Sequence, residues 1–149
     1  MASGCIPVVH REERGWKRPT LPVPWQPNVN FNETFTDAER DRTFEAAKVL
    51  GCEGFSSSTV LSEAKRLVPF VERHKMYVAM HNHNNLADPD QFATPGSFET
   101  ALAMSEYFKA TLDIGHYVAG NNDPVAFVEK HHDRLVNIHV RDRKRNNGR

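Results

Sequence analysis

Helix-forming and strand-forming stretches alternate four times between residue 36 and the end of the chain, and this order narrows the fold more than any other feature. Strand candidates are "CEGFSSS" (52–58), "MYVAMHN" (76–82), "ATLDIG" (110–115) and "RLVNIHV" (134–140). The helices between them carry clear punctuation. Thr36-Asp37-Ala38-Glu39 is a capping box opening a helix to about Leu50, with Phe44, Ala47 and Leu50 on one face and Gly51 as the stop. "VLSEAKRLVPFVERHK" (60–75) sets Leu61, Ala64, Leu67, Val68 and Val71 at helical spacing, with Pro69 predicting a kink. Thr94-Pro95 and Asp123-Pro124 each place proline just after a cap, starting helices to about Ser105 and through "VAFVEKHH".

Such an order is the signature of parallel βαβ units, which build either an open doubly wound sheet or a (β/α)8 barrel. The strand faces choose between them. With period 2, Val78, Met80, Leu112, Ile114, Val136, Ile138 and Val140 share one face and are expected to pack under helices. The other face carries Tyr77, Ala79, His81, Thr111, Asp113, Asn137 and His139. A sheet covered on both sides does not accept that many polar groups at its centre. A barrel does, provided they gather at the carboxyl ends of its strands. The expected fold is therefore α/β: a partial (β/α)8 TIM barrel of four parallel strands with outer helices.

The polar residues then form a pattern. His81, Asp113 and His139 lie at or near the ends of three consecutive strands, with His83 and His116 just beyond. Two imidazoles and a carboxylate are ligand types of a divalent transition-metal site. A rim histidine alone is more often a hydrogen-bonding group; three matched strand ends favour metal. His74 and His131-His132 fall near helix C-termini, where interaction with the helix dipole explains them.

Composition removes several classes of function. Lysine plus arginine and aspartate plus glutamate both number 19, so no net charge draws the chain to nucleic acid or an acidic membrane. The basic tail "RDRKRNNGR" has no interleaved aromatics and reads as a solvated loop over a pocket. A mean hydropathy of −0.60 and the lack of any long apolar run exclude a membrane-spanning helix. Cys5 and Cys52 lack metal or redox spacing, which suits free thiols and a cytoplasmic location. Residues 1–35 hold five of the nine prolines and both tryptophans without helical or strand period, and read as an extended or disordered arm before a domain at 36–149.

"LDIGHYVAGNNDPVAFVEKHHDRLVNIHVRDRKRNNG" (112–148) carries a resemblance. The DIGH stretch (113–116) and the HVRDRKRNNG stretch (139–148), supported by ATPGSFETAL (93–102), resemble the sugar phosphate isomerase/epimerase family with the xylose-isomerase-like TIM barrel. The resemblance covers about residues 36–149 and aligns the four strands with barrel strands 4 to 7. It implies a metal held by Glu, Asp, His and Glu from successive strands, with Asp113 and His139 matching the central pair. It further implies catalytic roles for His81 and His116, substrate contacts from His83, His116 and Arg145, and a sugar or sugar phosphate substrate.

Two departures follow from the same alignment. His81 stands where many relatives have the first glutamate, and the last glutamate falls beyond Arg149. In the family those glutamates also move the proton on either side of an enediolate. Replacing one with imidazole lowers the site's negative charge and shifts the expected metal from magnesium toward zinc, manganese or iron. The expectations are a metal-dependent sugar isomerase or epimerase present as a fragment, a related lyase or dehydratase, or a truncated barrel without activity. Unpaired edges at the strands 52–57 and 135–140 also lead us to expect self-association.

Overall fold

The structure, a computed structural model, describes residues 26–148. The first 25 residues of the proposed arm, including Cys5, and Arg149 lie outside the described residues. In chain order the elements are α1 (Asp37–Val49), β1 (Gly54–Ser57), α2 (Leu61–His74), β2 (Tyr77–His81), α3 (Pro95–Met104) and β3 (Phe108–Asp113). They continue with α4 (Ile114–Ala119), α5 (Pro124–His131), a 3₁₀ turn (His132–Arg134) and β4 (Leu135–His139).

All neighbouring strands are parallel, in the order β1-β2-β3-β4. A doubly wound sheet reverses its strand order partway, whereas a barrel adds strands in sequence. This sheet is of the second kind: four strands of a partial TIM barrel with flanking helices. Phe55, Val78, Met80, Phe108, Ala110 and Leu112 form one core with Phe44, Leu67, Val71, Phe98, Ala101 and Phe127 from the helices. On the other strand face the Ser56 and Thr111 hydroxyls lie 3.2 Å apart.

The caps form as the sequence implies. Thr36 and Glu39 close a reciprocal capping box on α1, Thr94 accepts from the Ser97 N–H on α3, and Asp123 caps α5. Helix α2 runs through Pro69 without interruption. A buried ion pair ties α1 to α2: both Arg40 Nε and Nη2 reach Glu63 Oε1, at 2.7 and 2.6 Å. The rest of the guanidinium donates to the Phe35 and Asn32 carbonyls, so this buried charge is fully partnered. His74 is buried between Asp41, 2.7 Å away, and the Phe44 ring. It thus has a specific partner beyond the dipole interaction.

Three expectations need correction. The strand at 110–115 stops at Asp113, and Ile114 begins helix α4 instead of continuing the apolar strand face. The reason is Asp113 itself, whose side chain accepts from the His116 N–H and caps the new helix. Second, Val136, Ile138 and Val140 do not pack under helices; they are 39%, 40% and 85% exposed. The β3–β4 register shifts there, with Leu135 opposite Ala110 but Asn137 opposite Thr111. Val136 is thus an extra residue in the ladder, and strict period 2 fails at it. Third, the edge at 52–57 is not bare. Asn28 makes a parallel bridge to Ser56, with Val29 N–H donating to the Ser56 carbonyl and Ser56 N–H to the Pro27 carbonyl. Phe31 follows into the core against Phe44 and Phe55.

Candidate metal centre

Residues at the carboxyl ends of β2, β3 and β4 converge. His81 ends β2, Asp113 ends β3 and His139 ends β4, with Asp113 and His139 directly opposite in register. His81 Nε2 lies 3.0 Å from His139 Nδ1 and 3.7 Å from Asp113 Oδ2, and His139 Nδ1 lies 3.9 Å from the same oxygen. Ligand atoms about 2.0–2.2 Å from a tetrahedral ion stand roughly 3.4 Å from one another. The three observed separations bracket that value, so this cluster is capable of coordinating a divalent metal.

The strand ends are fixed from beside them. Buried Asn82 donates to the Asp113 carbonyl at 3.1 Å and accepts from the Asp113 N–H at 2.7 Å. This two-point clamp extends the β2–β3 ladder one step past its last strand residue. Asp113 Oδ1 accepts from the His116 N–H at 2.9 Å, which aims Oδ2 toward the imidazoles. Oδ2 is buried and has no hydrogen-bond partner among the described residues. A buried carboxylate oxygen without hydrogen bonds needs a cation beside it; Arg141 Nε stands 3.2 Å away, and the two facing imidazoles also suit Oδ2 as a metal ligand. His81 Nδ1 is likewise buried without a hydrogen-bond partner among the described residues, so these supply no outer acceptor of the kind that usually orients a metal-binding imidazole.

Burial sets the protonation state. It lowers the His81 pKa to about 4, helped by neighbouring His83 and His139 and opposed by Asp113. Burial also lowers the pKa values of His83 and His116, again against the pull of Asp113. At neutral pH His81 therefore offers a lone pair, as coordination requires.

The remaining sequence candidates surround this triad. The His83 ring centre is 5.2 Å from that of His81 and 5.5 Å from that of His116. His116 Nδ1 contacts Asn84 Oδ1 at 2.9 Å and Arg143 Nη1 at 3.1 Å, and serves one of them at a time. Arg145 turns to the Asn121 carbonyl, 3.1 Å away, so Arg143 is the tail cation that reaches His116. Asn82, Arg141 and Arg143 were not singled out from sequence. Their only signal is position, one residue after a strand-end ligand or two and four after another.

No protein-family model matches the chain, and no curated protein matches it. Solved structures do share its fold. A D-tagatose 3-epimerase-like protein superposes with a TM-score of 0.57 at 18% identity, over 78% of this chain and 55% of that one. The probable 3-DHS dehydratase AsbF from Bacillus anthracis, involved in petrobactin synthesis, gives 0.57 at 15% identity, over 76% and 47%. The IOLI protein, solved with a bound zinc atom, gives 0.52 at 12% identity, over 66% and 41%. The chain spans about half the length of the structures it matches. In strand order and helix placement the chain is a partial TIM barrel, with the fold shared by the D-tagatose 3-epimerase-like protein and AsbF.

Proposed function

We propose that this chain carries the metal-holding part of a sugar isomerase or epimerase, and that its reaction moves a proton beside a carbonyl. One observation carries the reading: the buried Asp113 Oδ2, which has no hydrogen bond among the described residues, faces the nitrogens of His81 and His139. Zinc, manganese and iron suit two imidazoles and one carboxylate better than magnesium does. When bound, such an ion supplies Lewis-acid polarisation of a substrate carbonyl.

The chain's own residues divide the other tasks. His81 acts as a ligand; with a pKa of about 4 it is too weak a base for efficient proton abstraction at neutral pH. That leaves His116 to carry the proton. Its Nδ1 is engaged by Asn84 or Arg143, so Nε2 is the atom that would exchange a proton with substrate. His83 and Arg143, the tail cation beside His116, complete the proposed contacts to sugar oxygens. The dehydratase among the similar structures points to related proton chemistry and remains the second reading.

The described residues offer three ligands and, with His116 as the one proposed proton carrier, no carboxylate beside them to serve as the second base of a two-sided transfer. Proton transfer by a positioned base contributes roughly 10²–10⁴-fold, so the 149-residue chain should turn over ketoses negligibly with added manganese. Binding is the sharper test. Calorimetric titration should show one site for zinc or manganese, lost in His139→Ala. Unchanged binding in that variant would reject the reading.

A further inference from the structure

The oxygen that faces both imidazoles has a third neighbour. Arg141, two residues past the end of β4, holds Nε 3.2 Å from Asp113 Oδ2. The two partners differ sharply in exposure: 59% of the Arg141 side chain is accessible, and none of the Asp113 side chain. The contact is electrostatic. It lacks hydrogen-bond geometry, so Oδ2 keeps an open lone pair even with the guanidinium beside it.

A guanidinium and a divalent ion cannot both sit on one oxygen at these distances without strong repulsion. Arg141 can yield, since its side chain is largely in solvent while its backbone is fixed. A Cβ on Gly115 would meet the Arg141 Cβ at 2.8 Å and its carbonyl at 3.3 Å, which shows how closely the tail lies on α4. The backbone end of Arg141 is closely packed and its charged end is largely in solvent.

We propose that Arg141 is a built-in competitor for the metal: it neutralises Asp113 when no ion is bound and is displaced when one enters. This rests on the metal reading above. It adds a function for a residue that coordinates nothing, the setting of metal affinity. The cost of displacement is the loss of a pair whose cationic partner is mostly exposed, so the effect is moderate. Removing the charge should tighten binding by up to about fivefold.

Zinc titration of wild type, Arg141→Ala and Arg141→Lys at pH 7.5, with Asp113→Ala as the blank, tests the idea. Arg141→Ala should bind up to about fivefold more tightly, and Arg141→Lys, which keeps the charge, should stay near wild type. Thermal melts supply a second reading. In chelator, Arg141→Ala should melt below wild type, because a buried carboxylate has lost its cation; saturating zinc should close that gap. A residue needed only for packing would lower both melts equally. Equal or weaker zinc binding in Arg141→Ala, with wild type still binding, overturns the proposal and leaves the metal site standing. Absence of zinc binding in every variant overturns both.

Discussion

Asparagine caps a helix about as well as aspartate but brings no charge, and this separates two roles of Asp113. Its Oδ1 starts α4 through the His116 N–H, while Oδ2 faces His81 and His139. Asp113→Asn should therefore keep the fold's melting temperature near wild type while weakening zinc binding by about tenfold or more. Asp113→Ala should lose the cap as well, at a cost of about 0.5–2 kcal/mol. Calorimetry and thermal melts on the two variants make the distinction. His81 gives a pH signature. Folded His81 titrates at about 4 and its ordinary value is 6.5, so between those limits the unfolded chain binds more protons. Its contribution to stability is complete above about pH 6.5 and is lost as pH falls toward 4. Melts in chelator should show this slope, and it should be shallower in His81→Gln. The three strand-end groups were legible because a strand's period fixes which side chains share a face. Arg141 and Asn82 were not, since each acts beyond the last strand residue, where no period constrains the reach of a side chain.

Capping chemistry is local, so Thr36-Glu39, Thr94-Pro95 and Asp123-Pro124 could be placed from a few adjacent residues. Helix α4 could not. Its six residues, Ile114–Ala119, continue the apolar character of β3, and only the turn of Asp113 onto the His116 N–H marks the change. The extra residue at Val136 was hidden for a similar reason: a ladder shift depends on the partner strand, not on β4 alone. The Asn82 clamp shows what holds elements at the site. In Asn82→Ala the Asp113 N–H and carbonyl lose their partners while remaining buried, a cost of about 1–3 kcal/mol. Denaturant titration should register that loss, together with weaker zinc binding as the ends of β2 and β3 separate. Farther from the site, Arg40→Ala would leave Glu63 buried without its guanidinium, and about 3–5 kcal/mol of stability should go with it.

Across the whole molecule, the alternation of elements sufficed to read a parallel sheet in sequence order, because each crossover joins adjacent strands. How the sheet's two borders are treated was not readable, since that depends on contacts between distant segments. At β1 the stretch Pro27–Val29 supplies backbone partners to Ser56, and Phe31 buries its ring behind it. At β4, among the described residues, Val136, Ile138 and Val140 remain accessible. Unpaired backbone beside apolar side chains is a template for association. Sedimentation at rising concentration should show self-association that Ile138→Lys with Val140→Lys suppresses. A protein with two sticky borders polymerises without limit, whereas one with a single sticky border is used up by its first encounter. The short proline-led segment along β1 thus acts as a chain terminator, and the species that sediments should be a discrete pair, not a fibre.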